Sequence, residues 1–146
     1  MVAVATPRDP VASDTFHLLT TACATRVWSA LTCPETAARY LHGLRLDSSW
    51  EPHAPLSFGL PGLPRSQGQV LCVRGPELLS YVLADGSGTA TYLTWSIRPV
   101  STGCVVRLHV HETHATGSDT DLEEAWLPVV EALRLVLATE DQPAPG

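Results

Sequence analysis

Lysine does not occur in this chain of 146 residues; all nine basic side chains are arginine. Set against fifteen acids they leave a net charge of -6, and no basic stripe is visible, which excludes a conventional nucleic-acid binder. The missing lysine, beside abundant Ala, Arg, Pro and Gly, is the codon bias of a GC-rich genome and points to a bacterial source rather than to a chemistry. Apolar runs long enough to span a membrane are also missing. Met1 to Ser13 holds Pro7, Arg8, Asp9 and Pro10 and lacks the basic start and unbroken apolar core of a secretory signal. A cytoplasmic protein with no membrane partner is the expectation. Cys23, Cys33, Cys72 and Cys104 form no C-x-x-C pair and have no metal-ligand spacing, so free thiols are expected. No Ser-His-Asp order, phosphate loop or dinucleotide fingerprint is present, and the sequence calls for no cofactor.

What is present is a globular balance, 45% hydrophobic and 16% charged, in a length suited to one domain with a full core. The strongest single signal is the stretch LEEAWLPVVEALRLVLAT, residues 122–139. Leu122, Trp126, Val129, Val130, Leu133, Val136 and Leu137 recur at intervals of three and four, placing a wide apolar stripe on one side of a long helix. Thr120-x-x-Glu123 offers a capping box at its start. Pro128 then predicts either a kink or a late start near Glu124.

Upstream, the order is readable. Residues 1–13 are expected to be a loose leader, 14–139 the domain and 140–146 a loose tail. Phe16 to Cys23 reads as a strand. ATRVWSALT gives a short helix with Val27, Trp28 and Leu31 on one face, and Pro34 opens a second that Gly43 ends. Leu44 to Trp50 alternates as a strand, with Leu44, Leu46, Ser48 and Trp50 on one face. Pro55 to Phe58 is a short strand within a Pro- and Gly-rich passage. Gly68 to Arg74, Glu77 to Ala84, Thr89 to Val100 and Cys104 to Thr113 then form a meander, with Asp85 to Gly88 as a hairpin turn. The fold class is α+β: a curved antiparallel sheet with two short helices after the first strand and a long C-terminal helix across it.

That order, with ATRVWSALTCPE (24–35), Gly68-Gln69-Val70 followed by Gly75-Pro76 and Leu79-x-Tyr81, and LTWSIRP (93–99), resembles the helix-grip fold of the START and Bet v 1-like superfamily, also called SRPBCC. The segments are similar to those of the branch named after the activator of the heat-shock-protein ATPase. The resemblance covers roughly Phe16 to Thr139. It departs at His53, where the branch often has Gly, and in HETHATGSDTD before the final helix. It implies a cavity between helix and sheet, and members of the superfamily include lipid and hormone carriers, polyketide cyclases and co-chaperone domains.

The walls of such a cavity would be Trp50, Phe58, Tyr81, Trp95, Trp126 and Val130, large apolar surfaces carrying a few donors. Trp28 is expected to pack the short helices instead. On the strand 104–113, Val106, Leu108 and Val110 take the core side, so Glu112 joins them near the cavity rim, where it would serve as general acid or base. Tyr81 shares its face with Leu79 and Leu83 and is the second catalytic candidate. Arg74 shares a parity with Cys72, but both faces of that strand are apolar, so its orientation stays open; an inward Arg74 would favour an anionic or carbonyl-bearing ligand. The same parity turns His109 and His111 outward, and the run His109-x-His111-Glu112-x-His114 is one residue short of H-E-x-x-H, so no metal site is expected. Three functions follow: binding of a hydrophobic, aromatic or polyketide-like small molecule; a polyketide cyclase or aromatase using the same cavity; and a co-chaperone-like protein-interaction domain. A homodimer or a protein partner is compatible with the sequence.

Overall fold

The computed structural model describes residues 11–84, 89–113 and 122–140. Its elements run β1 (Val11–Thr20), α1 (Ala24–Thr32), α2 (Pro34–Tyr40), β2 (Arg45–Ser48), β3 (Pro55–Gly59), β4 (Ser66–Arg74), β5 (Leu78–Ala84), β6 (Ala90–Val100), β7 (Gly103–Thr113) and α3 (Leu122–Glu140). The seven strands make one sheet in the order β1-β7-β6-β5-β4-β3-β2, antiparallel throughout. This is the α+β arrangement expected from the sequence, with two short helices after the first strand and a long helix at the end. The turn expected at 85–88, the cap at Thr120 and His114 lie outside the described residues.

Alternation decides the two faces of the sheet. Phe16 and Leu18, Val106, Leu108 and Val110, Leu93, Trp95 and Ile97, and Leu79 and Tyr81 point inward and are buried. From above, α3 supplies Leu122, Val129, Val130, Leu133, Val136 and Leu137, all buried, with Trp126 half-buried beside them. The helix packs alongside β1 and α2. The stripe at helical spacing is therefore the core face, and each side chain in it removes apolar surface from water.

Four features differ from the sequence reading in ways that bear on the site. First, β1 spans 11–20 instead of 16–23, reaching into the expected leader because Val11, Ala12 and Ser13 pair with Thr113, Glu112 and His111. That pairing is supplied by the long β7, not by local propensity, which VASD lacks. Second, β2 stops at Ser48, so Trp50 lies in a turn with φ 60°, a left-handed conformation strained for a bulky residue. Third, α3 begins at Leu122 and continues through Pro128, which overturns the late start near Glu124. Pro128 is solvent-exposed, and water can satisfy the carbonyl side of the main-chain hydrogen bond its ring removes. Fourth, the register of β4 against β5 shifts between Val70 and Cys72. This bulge turns Cys72 and Arg74 outward while Val70 and Val73 face in. No alternation rule could have oriented a strand whose parity changes midway.

Candidate functional site

Deep in the enclosure, three aromatic side chains occupy the space that the sequence suggested as a cavity. Tyr40, Tyr81 and Trp95 are fully buried. Tyr81 and Trp95 come from the adjacent strands β5 and β6, where inward positions two strand-steps apart bring their polar tips together. The Trp95 Nε1–H donates to the Tyr81 hydroxyl at 3.1 Å. Tyr40, from the last turn of α2, meets Trp95 edge-on, ring centroids 6.2 Å apart at 81°. Trp50 covers Tyr81 from the other side, 5.6 Å away at 64°. Edge-to-face geometry of this kind adds about 0.5–1.5 kcal/mol per pair beyond burial, which offsets part of the strain at Trp50, on the order of 1–3 kcal/mol.

Burial pushes both phenols well above the usual tyrosine pKa; for Tyr81 the bond from Trp95 counters this in part, and for Tyr40 the neighbouring Tyr81 adds to it. Each therefore keeps its proton at neutral pH and acts as a neutral hydroxyl, not a base. The Tyr40 hydroxyl is buried with no hydrogen-bond partner among the described residues.

The mouth is different in kind. Between the first half of α3 and the sheet lies a cleft of about 180 Å³ lined by Leu44, Phe58, Leu83, Thr89, Thr91 and Trp126. Five elements or their flanks converge there: the chain entering β2, then β3, β5, β6 and α3. At its side the Thr91 hydroxyl donates to Glu112 Oε2 at 3.0 Å, a pair set by the direct register of Thr91 and Glu112 across β6 and β7. Glu112 is half-buried. Parity placed it on the core side, and the structure agrees.

The eight residues singled out from sequence thus separate. Phe58 and Trp126 line the cleft, Glu112 bonds to its wall, and Val130 is buried on the same stripe of α3. Tyr81, Trp95 and Trp50 form the packed deep end. Arg74 is corrected outright: the bulge in β4 turns it to solvent, 69% exposed and 3.9 Å from Glu77. Sequence reasoning missed Tyr40, whose three-residue spacing from Ala37 on α2 marked it as inward, and also Leu44, Leu83 and Thr91, inward by parity but chemically plain. Trp28 packs beside Gly75, where an added Cβ would sit 3.0 Å from the indole. His109 and His111 face outward, the first bonded to Thr15 Oγ1 at 2.9 Å and the second edge-on to Tyr92. Among the described residues no three His, Cys, Asp or Glu side chains converge as a metal site would require, and no helix is long and apolar enough to cross a membrane.

No family model and no curated protein matches the sequence. Solved structures do match its shape. A protein from Mesorhizobium loti is 17% identical and superposes with a TM-score of 0.73, covering 90% of this chain and 100% of that one. A protein of unknown function from Staphylococcus aureus is 11% identical with a TM-score of 0.72 over 92% of this chain and 98% of its own. A norcoclaurine synthase from Thalictrum flavum, solved as a point mutant with a transition-state analogue, is 14% identical with a TM-score of 0.62 over 94% and 100%. At these identities the likeness shows the fold alone.

Proposed function

The chain has a helix-grip fold of the Bet v 1-like type, a scaffold commonly used to hold ligands, and on that premise we propose that it binds a small apolar molecule at the mouth between α3 and the sheet. The observation that carries this reading is the cleft itself: apolar walls from Leu44, Phe58, Leu83 and Trp126, with the Thr91–Glu112 pair as its polar contact. Its size sharpens the ligand class. At about 180 Å³ it slightly exceeds the roughly 150 Å³ engineered cavity that accepts benzene, and falls short of the ~300 Å³ at which drug-sized pockets begin. A single aromatic ring with one or two small substituents fits; a fused polyketide does not, unless Trp50 and Trp126 move. We further propose that the similarity of residues 24–35 and 93–99 to the heat-shock-ATPase-activator branch reflects shared ancestry, without that branch's co-chaperone role.

Carriage suits the site better than catalysis. Tyr81, the sequence candidate for proton handling, is sealed behind Trp50 and already engaged by Trp95. Glu112 alone remains within reach of a ligand. The test is a titration of the purified protein with substituted benzenes and indoles, read by tryptophan fluorescence and by thermal shift. Saturable binding that Leu83→Arg abolishes and Glu112→Gln alters only a few-fold supports the reading. Absence of saturation across one-ring and three-ring probes alike rejects it.

A further inference from the structure

The outer face of the sheet carries a second concavity that the apolar mouth does not use. Its volume is about 290 Å³ and it is lined by His17, Ser96, Arg98, Val105 and Arg107. The register explains why these residues meet. His17, Arg107 and Ser96 stand directly opposite one another across β1, β7 and β6, and Arg98 and Val105 form the next outward pair on β6 and β7. Direct neighbours on one face lie roughly 5 Å apart and diagonal ones about 7–8 Å, so the Arg98 and Arg107 guanidinium groups can reach one point between them. The row extends through Leu78 on β5 to Arg74 on β4.

Charge on this face is segregated. The whole chain is acidic at -6. Yet among the described residues the outward positions of β1, β5, β6 and β7 hold no Asp or Glu, only Arg98, Arg107, His17, His109 and His111 among titratable groups other than Tyr92. Arg74 has Glu77 at 3.9 Å, whereas neither Arg98 nor Arg107 has a carboxylate partner among the described residues. Like charges placed diagonally on a sheet repel, and among the described residues no carboxylate offsets this pair. A bound anion would.

We propose that this concavity is an anion site, in which Arg98 and Arg107 hold a dianionic phosphate ester and His17 and Ser96 complete the donor set. Guanidinium forks match the oxygens of a tetrahedral oxyanion in pairs, and the hydroxyl and imidazole add single donors. The volume exceeds that of a phosphate alone, leaving room on the apolar Val105 side for a small organic group. It lies on the opposite face of the sheet from the mouth cleft, so occupancy of one leaves the other open.

The test uses the full chain, ¹⁵N-labelled, titrated at constant ionic strength with inorganic phosphate, with phenyl phosphate, and with phosphatidylcholine vesicles with and without phosphatidic acid. Saturable shifts of the His17, Ser96, Arg98 and Arg107 amides are expected. Affinity should fall by about tenfold or more in Arg107→Gln and partly recover in Arg107→Lys, which restores charge without the fork. Arg134→Gln, which removes a surface arginine paired to Glu131 on α3, should leave it unchanged. Saturation by phenyl phosphate assigns a soluble ester; binding only to phosphatidic-acid vesicles, lost in Arg107→Gln, assigns a lipid headgroup as the source of the same phosphate. Shifts linear in phosphate with no vesicle binding, or an equal loss in Arg134→Gln, overturn the proposal.

Discussion

The two ends of the space between α3 and the sheet are built from similar side chains and behave oppositely. At the deep end Tyr40, Tyr81 and Trp95 are completely buried, and the indole N–H of Trp95 finds its acceptor inside, on Tyr81. At the mouth Trp126 stays half-exposed over an unfilled cleft, and the polar contact there, Thr91 with Glu112, stands beside the space without plugging it. An aromatic wall becomes core when its edges meet other rings and neighbouring side chains seal it from water, as at Tyr40, Tyr81 and Trp95. It becomes a binding surface when the facing residues are too short to reach it, as Leu44, Leu83 and Thr91 are.

Substitutions can break this contrast, beginning with the largest effect. Trp95→Ala empties the deep end and removes the partner of Tyr81, so equilibrium denaturation should show a loss of about 3–5 kcal/mol, as for other buried aromatic-to-alanine changes. A loss under about 1 kcal/mol would mean that the deep end is not the packed core described above. Tyr81→Phe keeps the ring but strands a buried indole N–H, and a loss of roughly 1–3 kcal/mol should appear in the same measurement. Trp126→Ala should cost only about 1 kcal/mol of stability, since the side chain is half-exposed, while weakening binding of single-ring probes about tenfold or more by fluorescence titration. Tyr40→Phe should be the mildest, within about 0.5 kcal/mol of zero or stabilising, because the hydroxyl it deletes is buried with no partner among the described residues. The pair Tyr81→Phe and Tyr40→Phe is the sharpest comparison. Both delete one buried phenol oxygen, and only the first breaks a hydrogen bond.

Which side chains face inward was largely legible in the sequence. The α3 stripe is the face that packs inward, six of its seven apolar side chains buried and Trp126 half-buried, because a spacing of three and four leaves a helix no other way to cover them. Glu112 could be assigned inward because Val106, Leu108 and Val110 set an unambiguous parity. Three things were hidden for physical reasons. The bulge between Val70 and Cys72 breaks the period on which orientation depends, so Arg74 had no readable direction. The left-handed backbone at Trp50 carries the indole onto Tyr81 from a turn, where strand alternation says nothing. Whether aromatic walls enclose a space or fill it is a matter of volumes meeting in three dimensions. A list of inward residues does not contain it.

The strand order has a consequence for how the chain is made. Strands β1 and β2 are separated in the chain only by two short helices, yet they occupy opposite edges of the sheet. The partner of β1 is β7, the last of these seven strands in the chain, so Val11 must await Thr113 and Thr20 must await Cys104. During translation the other strands can zip hairpin by hairpin, each to the one before, while β1 keeps an unpaired edge and exposes Phe16 and Leu18. Pairing so distant in sequence carries a large loop-closure entropy and slows folding. Emergence of β7 and then α3 is thus the step that commits the nascent chain, and a ribosome stalled before it would release a sheet lacking its first strand, its covering helix and protection from aggregation.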